Sequence, residues 1–160
     1  MPKIHPSVFI APGAHIIGDV EIGEGCSVWF NTVIRGDVNS IRIGSGTNIQ
    51  DGCILHVTHQ THPLNIGNDV TIGHGAVVHG ATLADCCLIG MGARVLDGSQ
   101  VGSRSFVAAG SVVLEGFEVP GGMLVAGVPA RIRRSLSQDE QDRIYQSSQN
   151  YRNYTKNYRT

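Results

Sequence analysis

The sequence predicts an all-β fold: a parallel β-helix of six-residue repeats, ending in one C-terminal α-helix. Three observations carry this prediction: an apolar beat of six, glycine directly after many of the beat residues, and the loss of both after Pro129. Neither the 3.6-residue period of a helix nor the two-residue period of a strand accounts for such a beat. A unit of one short strand and a turn cannot bury its apolar side alone, so units must stack into a continuous core.

Taken in order, Ile10, Ile16, Ile22, Val28 and Ile34 open the beat, and shorter runs follow at Ile43, Ile49, Leu55 and at Ile66, Ile72, Val78. The longest run is Leu83, Ile89, Val95, Val101, Val107, Val113, Val119 and Val125. Glycines in the pairs Ile22-Gly23, Ile43-Gly44, Ile66-Gly67, Ile72-Gly73, Ile89-Gly90 and Val101-Gly102 are expected at tight bends after each strand. With coils about 4.7–4.9 Å apart, Ile10 to Val128 predicts roughly six to seven triangular coils, a prism on the order of 30 Å long. After Pro129 the pattern changes. Ser137-Gln138-Asp139-Glu140 has the form of a capping box, and Ile144, Tyr151 and Tyr158, with Tyr154 between, make a one-sided apolar stripe. The expected division is a β-helix over 1–135 and, over 136–160, a helix lying on the prism or on a neighbouring subunit.

Composition agrees. Aromatics are 6% of the chain against 41% hydrophobics and 21 glycines, which suits a narrow interior filled by Ile, Val, Leu and Ala. A net charge of −1 and no basic stripe argue against nucleic-acid binding, and Arg131, Arg133 and Arg134 read as a solvated edge. No apolar stretch reaches the length of a membrane span and no signal-peptide core follows Met1-Pro2-Lys3, which predicts a soluble cytoplasmic protein without a membrane partner. Cys26, Cys53, Cys86 and Cys87 lack Cys-x-x-Cys spacing and are expected as reduced thiols.

The beat breaks between Ile34 and Ile43, between Leu55 and Ile66, and between Val78 and Leu83, and such departures concentrate at functional sites. The first break holds Arg35-Gly36-Asp37, the second begins at His56, and the third holds His79. His74 and His79 are five apart, so they are no helix-borne metal pair, whereas His56 and His74 are 18 apart, nominally one coil, and are expected on neighbouring rungs. Three neutral imidazoles with an open fourth position make a catalytic zinc arrangement.

On these residues the chain resembles the gamma-class carbonic anhydrase family of left-handed β-helix trimers. The resemblance rests on IRGD (Ile34 to Asp37), NIQD (Asn48 to Asp51), His56, and the pair His74 and His79 in GHGAVVHG. It implies a left-handed coil and a homotrimer with metal sites between subunits, each using His56 and His79 of one chain and His74 of its neighbour. It further implies that Arg35 and Asp37 pair across the interface. Gln50 would bond the metal-bound water, with Asn48 assisting and Tyr151 in the aromatic lining. Zinc, or iron or cobalt in its place, would make hydroxide that attacks carbon dioxide to give bicarbonate, the reaction for which zinc in carbonic anhydrases is the familiar example.

This chain departs from the family pattern in having no Asp or Glu from Val57 to Ile66, and Val38 rather than Glu after Asp37. In the loop Thr58-His59-Gln60-Thr61-His62-Pro63, His59 or His62 is the candidate proton shuttle, since histidine exchanges protons near neutral pH. Two further activities share the scaffold: acyl-CoA hydrolysis at the same metal site, and acyl transfer, to which AGVPARIRR (Ala126 to Arg134) points. A non-catalytic assembly subunit is the remaining reading.

Overall fold

A computed structural model describes residues 1–158; positions 159 and 160 of the expected C-terminal segment lie outside the described residues. The chain winds into a parallel β-helix of about seven coils, most strands being two residues long. One face is an eight-stranded sheet. The other two join into one eleven-stranded sheet, because the long strands His15–Ile22 and Val33–Ile43 carry the chain around a corner.

The beat residues stack in three interior ladders. Val28, Ile49, Ile72, Ile89, Val107 and Val125 pair rung to rung on the first face. Ile34, Leu55, Val78, Val95 and Val113 form the second, and Ile22, Ile43, Ile66, Leu83, Val101 and Val119 the third. None of these is more than 5% exposed. Because side chains alternate along a strand, the residues flanking each beat position must point outward. Ile10 departs from the expected pattern: it aligns with Val28 but is 43% exposed, since it sits on the first rung and nothing stacks beyond it.

The glycine expectation also needs correcting. The glycines that follow the beat residues do not take left-handed backbone; a Cβ on Gly90 would meet the Ala109 nitrogen of the next coil at 2.5 Å, so close approach demands glycine there. The left-handed residue comes two positions later, as at Gly92 (φ +66°), and Asp69 and Arg104 fill the corresponding place on other coils.

At one end the chain reverses. Met123–Gly127 pairs antiparallel with Ala130–Ser135, the last strand of the eight-stranded sheet, and Arg131, Arg133 and Arg134 stand exposed on it. The helix Gln138–Tyr154 begins at the expected box: Ser137 Oγ accepts from Glu140 N–H, and Glu140 Oε2 accepts from Ser137 N–H at 2.9 Å. Ile144 is buried beneath it, and Tyr151 docks edge-on against Trp29, 5.4 Å between ring centres. Tyr158 lies beyond the helix, against Trp29 and Phe30. All four cysteines are free thiols. Among the described residues no helix is long and apolar enough to cross a membrane.

Candidate metal centre

His56 and His79 end the strands Ile54–His56 and Val77–His79, which pair in parallel with His56 directly opposite His79. Leu55 and Val78 point into the core, so the two imidazoles project from the outer face together. His56 Nδ1 and His79 Nε2 are 3.1 Å apart. Each ring is held from its far side: His56 Nε2 lies 2.9 Å from Asp37 Oδ1, and His79 Nδ1 lies 2.5 Å from Asp97 Oδ1. A neutral imidazole carries one N–H, and a carboxylate only accepts, so these contacts draw both protons outward. Two lone pairs then face one another across the gap, an arrangement into which a shared cation fits. Nitrogens bound to one tetrahedral zinc lie about 3.3 Å apart, so the pair fits such an ion closely.

His74 follows the strand Thr71–Ile72 and stands in a turn. Its Nδ1 lies 2.8 Å from Asp51 Oδ2, which again assigns the proton to the carboxylate side and leaves Nε2 as the open nitrogen. Nε2 faces the Tyr151 hydroxyl at 3.3 Å. The backbone N–H of His74 donates to Gln50 Oε1, Gln50 Nε2 donates to Asn48 Oδ1, and Asn48 Nδ2 donates to Thr71 Oγ1. Within the chain, therefore, Asn48 and Gln50 are buried props beneath His74 and stand apart from the His56–His79 pair.

His56 and His74 do fall on neighbouring coils, as expected, but they are not stacked one on the other. The loop after His56 lengthens that coil, and His79, 23 residues on, takes the opposing position. Among the described residues, no three His, Cys, Asp or Glu side chains of a single chain are placed to hold a metal ion. The Arg35–Asp37 pair, expected across an interface, forms within one chain on the strand Val33–Ile43, and Asp37 meets both Arg35 and His56. The hydrogen bond from His56 outweighs desolvation and, with Arg35, holds the Asp37 carboxyl below its ordinary value. Burial raises the Tyr151 phenol, with Asp51 adding to the effect.

His59 is exposed on its loop, whereas His62 turns toward the site, with Nδ1 4.0 Å from Asp97 Oδ2. Asp97 was not singled out in the sequence, although it follows His79 by 18 residues, one coil; that spacing was the available signal. Desolvation pushes its carboxyl upward, but hydrogen bonds from Thr58 and His79 prevail and it stays below its ordinary value. A groove of about 800 Å³ along Ile22, Arg42, Ile43 and Leu83 contains none of these histidines. The histidine site is a ledge on an outer face.

A family model described as "Bacterial transferase hexapeptide (six repeats)" matches residues 1–36. The chain is 46% identical over 157 residues to Gamma carbonic anhydrase 2, mitochondrial, of Arabidopsis thaliana, covering 95% of this chain and 56% of that protein. It thus spans about half the length of that relative. It is 45% identical over 148 residues to the "Probable carbonic anhydrase" of Methanocaldococcus jannaschii, covering 92% of each. The chain belongs to the gamma-class carbonic anhydrase family. Members of the gamma carbonic anhydrase family share their scaffold with proteins named for another reaction: the chain matches the crystal structure of a hexapeptide transferase family protein from Anaplasma phagocytophilum with a TM-score of 0.93 at 40% identity, over 99% of this chain and 93% of that one.

Proposed function

We propose that the protein is a metal-dependent hydratase of carbon dioxide, assembled as a homotrimer. His56 and His79 of one protomer and His74 of a neighbouring protomer would hold the metal. The observation that carries this reading is the pair of bare imidazole nitrogens 3.1 Å apart, each ring locked by a carboxylate behind it. A transferase using one histidine as base has no need of that pair.

Assembly is supported by the surface around the pair. Val33, Ile54, Val77 and Val112 point outward on the same face, because they alternate with the interior ladder, and Ile54 is 47% exposed. Met91 and Leu114 add to the exposed apolar surface. Such a patch on a small protein marks a contact with another chain. Packing of protomers there would bury the ledge and exclude bulk water from it.

Zinc is the proposed ion, with iron or cobalt acceptable to the same nitrogens. When bound, the metal supplies a Lewis acid that favours ionisation of water at its open position. The chain's own groups do the rest. Asp37 keeps His56 in the tautomer with a free Nδ1, and Arg35 keeps Asp37 ionised. Asn48 and Gln50 fix the height of His74, and Tyr151 gives up its hydrogen bond to His74 Nε2 when that nitrogen is engaged.

Hydrolysis of an acyl-CoA thioester at the same centre is the second reading, favoured by one feature. A hollow of about 260 Å³ lined by Trp29, Phe30, Tyr151, Tyr154 and Tyr158 adjoins His74, which is more room than carbon dioxide needs. The deciding experiment is metal analysis of anaerobically purified protein, coupled to assays of carbon dioxide hydration, acyl-CoA hydrolysis and acyl transfer. About one metal per chain with hydration supports the proposal, and acyl transfer by metal-free protein refutes it.

A further inference from the structure

The loop between Val57 and Pro63 carries no carboxylate of its own, yet a carboxylate grips it. Thr58 and His62 pair across its neck, Thr58 N–H to His62 O at 3.1 Å, and Gln60 at its tip takes φ +59°. From one side Asn39 Nδ2 donates to Thr58 O at 3.0 Å. From the other, Thr58 Oγ1 donates to Asp97 Oδ2 at 2.5 Å, while Asp97 Oδ1 accepts from His79 Nδ1 at the same distance. Asp97 is mostly buried, its side chain 18% exposed. Gly80, next to the ligand, makes room for this: a Cβ there would meet Asp97 Oδ1 at 2.3 Å and His62 Cβ at 2.7 Å. Its φ of +52° also turns the chain away at once after His79.

We propose that Asp97 is a positioning residue that joins the 57–63 loop to the ligand His79, so that loop order and metal capture are one event. The proposal rests on the metal reading above. Its geometric basis is one carboxylate whose two oxygens hold the two parts separately. A ring fixed by its outer nitrogen gives up less freedom on binding a metal, and loss of such an outer partner usually weakens binding about 10–100-fold. Because the second oxygen of the same group holds Thr58, rotation of Asp97 to free the loop also releases His79.

The test uses the full-length protein with zinc as the probe, reading zinc affinity by chelator competition and amide hydrogen exchange across 57–63. In the wild type, zinc slows exchange in the loop. Asp97→Ala weakens zinc binding about 10–100-fold and abolishes the response of the loop to zinc. Asp97→Asn, whose amide oxygen still accepts from His79, retains most of the affinity and guards against a folding defect in the alanine variant. Thr58→Val leaves the His79 contact intact, so affinity falls by less than in Asp97→Ala while loop exchange rises. Unchanged zinc affinity in Asp97→Ala, or a loop that still responds to zinc in that variant, overturns the proposal. Failure of the wild type to bind zinc, iron or cobalt refutes the metal reading instead. Exchange in the metal-free proteins would then still show whether Asp97 holds the loop, by a rise in Asp97→Ala over wild type.

Discussion

If the metal is shared between protomers, two inactive variants must restore one another. His74→Ala removes the nitrogen presented at the Asp51 turn, and His79→Ala removes one of the two facing nitrogens on the other face. Neither homotrimer then has a complete site. In a trimer each interface is the same head-to-tail contact, so a site is intact only where a chain carrying His79 meets a neighbour carrying His74. Every mixed trimer, whichever variant it holds twice, has one such contact out of three, so about a third of its sites return. The assay is co-refolding of differently tagged variants, with mixed trimers isolated on both tags and examined for zinc content and carbon dioxide hydration. Mixed trimers, verified by native mass spectrometry, that recover neither metal nor activity would refute interfacial sharing. So would a His74→Ala homotrimer that keeps its full metal content.

Further outcomes follow from the same geometry. Gly80→Ala places a side chain in left-handed backbone and against Asp97 and His62, and is expected to lose about 1–3 kcal/mol in urea unfolding; an unaltered midpoint would show that the loop gives way freely. His62→Ala, with His62 beside Asp97, makes hydration dependent on added buffer, whereas His59→Ala on the exposed tip does not; equal profiles for the two remove His62 as the shuttle. The Glu140 carboxyl is lowered to about 2 from its ordinary 4.5, first by Arg134 and then by the Ser137 N–H. A lowered folded value stabilises above the unfolded one, so the gap in melting temperature between wild type and Glu140→Ala is full at neutral pH. It shrinks as pH falls from 4.5 toward 2; a gap independent of pH would mean that the charge of Glu140 does nothing for the cap.

The interior was legible because its rule is local and repeated: one apolar residue in six, held from Leu83 to Val125 without interruption, has few structural solutions. The helix start was legible for a similar reason, since Ser137 and Glu140 satisfy each other's backbone within one turn. The first rung was not, because Ile10 obeys the pattern but has no coil above it, and burial depends on neighbours that the pattern does not supply. The glycines were found but misjudged: tolerance of bending and tolerance of a crowded coil both select glycine, and only the backbone angles separate them. At the site, residue types were readable and adjacency was not. The extra residues after His56 shift the coil count, so a spacing of 23 brings His79 where 18 had pointed to His74. Asp97, lying among aliphatic beat residues, resembled any solvated outward position until its distance to His79 was known.

The reversed strand Ala130–Ser135 has a consequence for the size of the molecule. Every other coil offers its successor a matching ribbon of amides and carbonyls, and on that face nothing intrinsic to the repeat says where addition should stop. A strand running the opposite way mismatches the next ribbon in direction, and the guanidinium groups of Arg131 and Arg133 keep positive charge on that edge, Arg134 being neutralised by Glu140. Exchanging those cations for valine would invite copies to add end on end, turning a particle of fixed length into a fibre.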